Sequence, residues 1–309
     1  MHVTNQILSN PVARGLDILG DRWTILILRD VFLKMHRFEE FRASTGASRG
    51  TLSKRLELLV FHGILYKNPY QTTPLRFEYR ITDKGRGLYP WALLIWQWES
   101  EWVGEMKDAA LPEQLYHRSE GGHPLWPVGV CRNCQQKLKF DDIERVENKD
   151  ARPVSAQALK AFGNQRRTSG GSNADQPLGH IANIIGDRWT LLILATAFMG
   201  LSRYDDFRQQ LGVATNILAD RLKLLLAMEL FSRHEYQSNP PRYEYKLTEK
   251  GKSLYPQTMA MRQWVLDWQP AVDHPFKLIH RSCGAELATD VICEHCGQQP
   301  EKGKVQFAQ

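Results

Sequence analysis

The stretch Gly20-Asp21-Arg22-Trp23-Thr24 decides the fold, because the same five residues return as Gly186-Asp187-Arg188-Trp189-Thr190. The offset between the two copies is 187 − 21 = 166, and matching pieces further along the chain keep it. Phe77-Glu78-Tyr79, for example, returns as Tyr243-Glu244-Tyr245. A constant offset without insertions indicates one folded unit that is written twice.

The bulk composition is that of a globular protein with a basic balance. The length of 309 residues favours about two domains, in agreement with the repeat. Hydrophobic residues make up 42 % and charged residues 24 %, which is enough apolar material for a core in each half. The formal net charge of +6 favours an anionic partner such as nucleic acid, although an acidic membrane surface or an acidic protein would also fit it.

Several features favour a cytoplasmic protein. The longest apolar run, around Trp91 to Trp98, is interrupted by Gln97 and is shorter than the ~20 residues of a membrane span, so we expect no membrane partner. The first five residues lack the basic start and apolar stretch of a secretory signal. Five cysteines, an odd number outside the repeated cores, argue against a disulfide framework.

The first copy has the pattern of a helix-turn-helix. Asp21 stands where the N-cap of an apolar helix belongs, and Gly46 closes a short amphipathic segment that follows. Ser48 caps a further helix, Arg49 to Phe61, whose leucines recur at helical spacing. Two helices joined by a tight turn, the second with small polar and basic residues at its start, are typical of a DNA-reading motif.

A β-hairpin wing is predicted to follow that helix. Two strand-like runs, Ile64 to Tyr66 and Arg76 to Ile81, are separated by prolines and polar turn residues. Arg76 would then lie beside a DNA backbone or in a minor groove. Residues 82–85 are predicted to cap a long helix that continues through Leu88 to Trp102.

These ordered motifs resemble the HxlR family of winged helix-turn-helix transcriptional regulators, relatives of MarR. The resemblance rests on residues 11–14, 20–24, 38–41, 48–56 and 77–85, and in the second copy on residues 186–190, 216–222 and 240–245. It implies DNA binding, and dimers that pair through the first and last helices of each domain. Members of the family are usually single-domain, so a fused pair departs from it. Asn10 and Gln176 replace the cysteine that many members carry before the first helix, which excludes a thiol switch at that position.

The predicted fold class is therefore mainly α with small β-hairpin wings. The predicted domains are 1–108 and 177–270 as winged helix-turn-helix domains, 109–150 and 271–309 as cysteine-containing tails, and 151–176 as a flexible linker. The linker prediction rests on Gly, Ser and Asn without an apolar period. Such a tether allows an intramolecular pseudo-dimer, and two chains could equally form a homodimer. The sequence does not identify an effector.

The candidate DNA contacts come from both helices and both wings. The helix of the first copy is the more basic one, because Arg49 and Lys54 are replaced by Thr215 and Asp220 in the second. Arg55 and Arg221 are open to two interpretations, ion-paired scaffold or phosphate ligand. The full set is Ser48, Arg49, Thr51, Ser53, Lys54, Arg55, Arg76, Thr215, Asn216, Ala219, Arg221 and Arg242. The unlike helices predict an asymmetric DNA site, with Asn216 suited to adenine and Arg49 to guanine or phosphate.

Each tail carries a Cys-x-x-Cys pair that suggests a metal. In the second tail His280, Cys283, Cys293 and Cys296 form a four-ligand candidate for structural zinc. In the first tail Cys131 and Cys134 have a poorer set, with His117 and Glu120 in the place of the His and Cys. The alternative is a group of leftover thiols in a reducing cytosol.

Two other classes of function compete with a DNA-binding regulator. A winged-helix module could bind an acidic protein with the same helices, without DNA. An enzyme has little support, since the sequence has no Gly-rich phosphate loop, no nucleophile elbow and no His-Glu-x-x-His pattern. The one catalytic possibility is a zinc ion with three ligands and an open position.

Overall fold

The computed structural model describes residues 10–103, 114–118, 122–148, 178–269 and 276–307. They form two compact units, each made of three separate segments over its described residues. The first-repeat unit comprises the described residues within 18–128, 178–186 and 291–307. The second-repeat unit comprises the described residues within 10–17, 129–148 and 187–290. The predicted domain boundaries stay a prediction, and the predicted linker lies outside the described residues.

The first repeat contains the predicted helix-turn-helix and wing. Its elements are α1 Pro11–Leu19, α2 Arg22–Phe32, α3 Phe38–Thr45, α4 Arg49–Phe61, β1 Leu65–Thr72, β2 Leu75–Ile81, α5 Asp83–Arg86 and α6 Tyr89–Trp102. The Asp21 carboxylate accepts from the amides of Trp23 and Thr24, as the sequence predicted. Gly46 ends α3 with a φ of 69°, a left-handed conformation that favours glycine.

The apolar faces of these helices meet in one core. Leu26 and Ile27 of α2 and Leu52 and Leu56 of α4 are all completely buried, and Phe41 of α3 packs among them. The heptad-like spacing of the leucines in α4 therefore has the expected cause, since they form the side that faces the core. This packing fixes the opposite side of α4 toward the surface.

The helix after the wing differs from the prediction. Residues 82–85 begin the separate short helix α5, and the long helix starts only at Tyr89, with Pro90 in its first turn, a position that proline favours. Gly85 sits in α5 against the strand end, where an added Cβ would collide with the carbonyl oxygen of Ile64. Gly251 has the same place in the second repeat, against Leu230.

The second repeat has the same element order. Its elements are α7 Gly179–Ile185, α8 Arg188–Phe198, α9 Tyr204–Leu211, α10 Thr215–Ala227, β7 Phe231–Ser238, β8 Pro241–Leu247, α11 Glu249–Lys252 and α12 Tyr255–Trp268. Asp187 caps α8 by accepting from the amide of Thr190, which repeats the role of Asp21. In both repeats the wing is an antiparallel hairpin, β1 with β2 and β7 with β8.

The tails consist of short strands. The first tail has β3 Leu115–His117, β4 His123–Pro124, β5 Pro127–Cys131 and β6 Ile143–Glu147, and the second has β9 Phe276–His280, β10 Thr289–Cys293 and β11 Val305–Phe307. Strand β6 pairs with β9 in the second-repeat unit, and β11 pairs with β3 in the first-repeat unit. Each tail thus gives one strand to the other.

Among the helices that the structure describes, none has the length and apolar character needed to cross a membrane.

Candidate nucleic-acid interface and metal-ligand clusters

The N-terminal end of α4 is an exposed basic surface. Ser48 caps it by accepting from the amide of Thr51, and its hydroxyl also lies 3.0 Å from the Thr51 hydroxyl. Arg49 and Lys54 are exposed, while Ser53 is half-buried. We define Arg49, Gly50 and Lys54, together with Arg76 of the wing, as the first basic face.

Arg49 has a partner on its own unit. Its Nη2 lies 2.9 Å from Oε1 of Glu39, and both side chains are more than half exposed. An ion pair this open to water is worth only ~0–1 kcal/mol. Arg49 can therefore exchange Glu39 for another anion at little cost.

The wing places Arg76 next to its tip. Arg76 is exposed and stands opposite Gln71 in the hairpin register. Near the tip of the same hairpin, Arg37 covers the ring of Tyr70 at 4.9 Å, a contact that Arg203 and Tyr236 repeat at 4.6 Å. These cation–π contacts hold the two wings in the same way.

The start of α10 is polar but less basic. Thr215, Asn216 and Asp220 are exposed, and Ala219 is half-buried. Ala214 provides no side-chain cap for this helix, in contrast to Ser48. Arg242 of the second wing is exposed, at the position equivalent to Arg76.

The two arginines in the middle of these helices, Arg55 and Arg221, are each paired with the aspartate that caps the apolar helix of their repeat. Arg221 Nε donates to Asp187 at 2.9 Å, and both side chains are nearly buried, at 9 % and 10 % exposure. Arg55 Nη2 lies 2.8 Å from Asp21, with 25 % of its side chain exposed. A direct DNA contact by Arg221 therefore does not fit this conformation, because its guanidinium is buried and paired with the helix cap. Arg55 is also ion-paired and keeps only a partial path to the surface.

A first metal-ligand cluster lies in the second-repeat unit and comprises Cys131, Cys134, His280 and Cys283. His280 Nδ1 lies 3.3 Å from the Cys134 sulfur and 3.4 Å from the Cys283 sulfur. His280 Nε2 is 2.9 Å from Asp142 Oδ2. A hydrogen bond from the backbone amide of Ala285, and to a smaller extent one with His280, lower the pKa of Cys283 to about 6. The lowered pKa favours the thiolate that binds metals.

A second cluster lies in the first-repeat unit and comprises His117, His123, Cys293 and Cys296. His117 Nδ1 is 3.3 Å from the Cys296 sulfur, and His123 Nε2 is 3.3 Å from the Cys293 sulfur. Burial lowers the pKa of His117, which favours the neutral ring that a metal ligand needs. Either cluster could hold a metal ion, since its ligand atoms all lie within 4.8 Å of one another.

This grouping corrects the ligand sets predicted from the sequence. His280 and Cys283 do not join Cys293 and Cys296, because the tails exchange strands and each cluster takes two residues from each tail. His123 was missed as a ligand. The spacing after His117 had placed Glu120 at this fourth ligand position, and Glu120 lies outside the described residues. Only the histidine count of the first tail could have signalled it.

A family model described as HxlR-like helix-turn-helix matches the chain twice, over residues 18–107 and 184–273. Each match covers one of the two helix-turn-helix repeats with its wing.

Named relatives match about one repeat. The chain is 38 % identical over 125 residues to the uncharacterized HTH-type transcriptional regulator MT3179 of Mycobacterium tuberculosis, which is 40 % of this chain and 79 % of the relative. It is 36 % identical over 91 residues to the regulator YvaP of Bacillus subtilis, which is 29 % of this chain and 84 % of the relative.

Two solved structures of candidate transcription factors also match. PA1607 is 31 % identical, with a TM-score of 0.33 over 52 % of this chain and 94 % of that one. PA1374 from Pseudomonas aeruginosa is 30 % identical, with a TM-score of 0.29 over 35 % of this chain and 74 % of that one.

Proposed function

Because this chain belongs to the HxlR-like helix-turn-helix family and is a transcription regulator, we propose that it binds double-stranded DNA through both repeats. The first basic face makes the stronger contact, with the start of α4 in the major groove and the wing beside the backbone. The observation that carries the proposal is the common exposure of Arg49, Lys54 and Arg76 on one repeat.

The shape of the helix start supports a close approach to DNA. Gly50 has open space around it, since a Cβ added there would meet nothing within 4 Å. Ser48 and Thr51, which flank the amides of the first turn, are also small. Those amides carry the partial positive charge of a helix N-terminus, which favours phosphate.

Reading by both repeats is the finer part of the proposal. The second repeat presents Thr215 and Asn216 where the first presents Arg49 and Gly50. An asparagine side chain can pair with adenine through two hydrogen bonds, whereas arginine suits guanine or phosphate. Unlike half-sites are the expected consequence.

The test is DNA affinity as a function of salt. We expect Arg49→Ala, Lys54→Ala and Arg76→Ala each to weaken binding and to flatten the slope of log K against log salt by about 0.9 per lost phosphate contact. A single lost contact with a base would instead relax preference at one position, at a cost of ~1–3 kcal/mol. The matched control is Lys139→Ala, an exposed lysine of the first tail.

A protein-binding module is the second candidate, and exposed apolar side chains favour it. Phe61 at the end of α4 is 82 % exposed, and Leu75 and Phe77 on the wing are 59 % and 38 % exposed. Apolar residues on a surface can mark a protein contact. This candidate would be favoured over the first if the protein did not bind DNA, or bound it with an affinity that does not depend on salt. In that case Arg49→Ala, Lys54→Ala and Arg76→Ala should each have the same DNA affinity as the wild type.

We also propose that the ion suited to the two clusters is Zn²⁺ in a structural role. Cysteine sulfur and histidine nitrogen in sets of four are the ligands of structural zinc, and a full set leaves no open position for catalysis. Metal analysis of the purified chain after exhaustive dialysis tests this, and we expect bound zinc.

A further inference from the structure

We infer that two zinc ions per chain fasten the tail of the first repeat to the tail of the second in crossed sites, each with two ligands from either tail. This inference rests on the proposed zinc binding and adds to it which ligands share an ion. One crossed site comprises Cys131, Cys134, His280 and Cys283, and the second comprises His117, His123, Cys293 and Cys296.

The distances in both clusters are those of a tetrahedral zinc site. Zinc–sulfur bonds of about 2.3 Å and zinc–nitrogen bonds of about 2.05 Å put sulfur and nitrogen about 3.5 Å apart and two sulfurs about 3.8 Å apart. The sulfur–nitrogen distances are 3.3 to 3.4 Å, and the Cys131 and Cys283 sulfurs are 3.9 Å apart. The side chains therefore already stand close to the geometry that a tetrahedral ion needs.

The surroundings of His280 orient it as a ligand. Its Nε2 faces Asp142 at 2.9 Å, and the Ser282 hydroxyl donates to the same Asp142 oxygen at 2.5 Å. Asp142 thus lies on the Nε2 side of the ring, where a carboxylate commonly supports a histidine that binds zinc, while Nδ1 faces the sulfurs of Cys134 and Cys283. His280 is completely buried, so this orientation is not an accident of a mobile surface ring.

Strand exchange between the tails brings the ligands together. His280 is the last residue of β9, whose partner β6 follows Cys131 and Cys134 in the first tail. His117 is the last residue of β3, whose partner β11 follows Cys293 and Cys296 in the second tail. Two reciprocal pairings therefore produce two reciprocal sites.

The competing arrangement is one ion per tail. The first tail by itself has His117, His123, Cys131 and Cys134, and the second has His280, Cys283, Cys293 and Cys296. In the wild type, the types of ligand do not distinguish the two arrangements, because both give one site with three cysteines and one with two. Double variants do distinguish them, because two substitutions in the same site remove one ion and two substitutions in different sites remove both.

The experiment counts zinc per chain in full-length variants. We expect two ions in the wild type and one in each of Cys134→Ala, Cys283→Ala and Cys296→Ala. The double variant Cys134→Ala/Cys283→Ala should keep one ion, because both residues serve the same crossed site. Cys283→Ala/Cys296→Ala should keep none, because its residues serve different sites.

If Cys134→Ala/Cys283→Ala kept no ion and Cys283→Ala/Cys296→Ala kept one, the crossed sites would be overturned, whereas zinc binding itself would stand. A wild-type chain without zinc would overturn both, and DNA affinity, measured separately, decides the regulator proposal. His295→Ala is the matched control and should keep two ions, since His295 stacks on His123 at 4.2 Å but belongs to neither cluster.

A cobalt spectrum gives a second readout on a single variant. Cys134→Ala loaded with Co²⁺ should show a site with two cysteines and two histidines, because the cluster of His117 and Cys296 survives. One ion per tail would leave three cysteines on the cobalt, with correspondingly stronger sulfur-to-metal absorption, and would overturn the inference.

Discussion

Arg55 and Arg221 occupy equivalent positions in the repeats and form the same ion pair at different depths. The sequence left their role open between scaffold and phosphate contact, because an arginine on a reading helix serves both purposes equally well. Burial separates the two residues, since the Arg221 pair with Asp187 is nearly closed to water while the Arg55 pair with Asp21 is partly open.

Arg221→Ala should therefore destabilise its unit by ~3–5 kcal/mol, because it removes the positive charge paired with the buried cap carboxylate of Asp187. Arg55→Ala should cost only about 1 kcal/mol, since water reaches that pair. Guanidinium unfolding of the two variants measures the difference. Equal losses would contradict the burial that separates them.

Glu99 is a buried carboxyl that makes stability depend on pH. Its oxygens accept from the amides of His180 and Ile181 at 3.2 and 2.8 Å, and the ring of His180 lies 3.5 Å away. Burial raises its pKa above the ordinary value of 4.5, an effect that the two amides only partly oppose. Its contribution to stability is thus complete below the ordinary pKa and is lost as pH rises through the raised one.

Glu99→Gln removes this titration, so we expect the free energy of unfolding to fall less steeply than in the wild type as pH rises from about 4.5. Urea unfolding at a series of pH values measures the slope. The control is Glu101→Gln, an exposed carboxyl on the same helix, which should leave the slope unchanged. An unchanged slope in Glu99→Gln would show that the carboxyl titrates normally.

At the scale of elements, local chemistry predicted most of the reading helix and wing. The caps at Asp21 and Ser48 and the turn at Gly46 act within a few residues, so the sequence contains all that determines them. The long helix after the wing was placed too early, because Thr82 and Asp83 are an equally good start for the short helix α5. A cap signal marks where a helix begins but not how far it extends.

Asp220 is exposed on α10 at the position of Lys54 on α4, which makes the second reading helix less basic. Asp220→Lys should raise DNA affinity at low salt and steepen the slope of log K against log salt by about 0.9, if the lysine reaches a phosphate. Glu229→Lys adds the same charge beyond the end of α10 and serves as the control. Equal gains in both variants would mean that α10 does not approach DNA.

At the scale of the whole molecule, the repeat could be predicted and the exchange between repeats could not. A constant offset of 166 states that two segments share a fold, and it contains no information about which strand pairs with which. The ligands in one cluster lie as far apart in sequence as His123 and Cys293, beyond the reach of any spacing rule. Hence the number of cysteine pairs indicated metal sites, whereas their membership required the structure.

Two repeats with unlike reading helices should select an asymmetric DNA site. We expect a binding-site selection from random duplexes to return two different half-sites, one sensitive to Arg49→Ala and the other to Asn216→Ala. A perfect palindrome that depends on one helix alone would contradict reading by both repeats.

The strand exchange also bears on how the chain is made. Residue 147 leaves the ribosome 276 − 147 = 129 residues before β9 begins, a wait of about 6 to 26 s at ~5–20 residues per second. During that interval β6 has no β9 to pair with, and an unpaired edge invites contact with neighbouring nascent chains. Neither unit can be finished before the strands of the second tail have been made, so this protein should depend on chaperones more than a protein with a single repeat does.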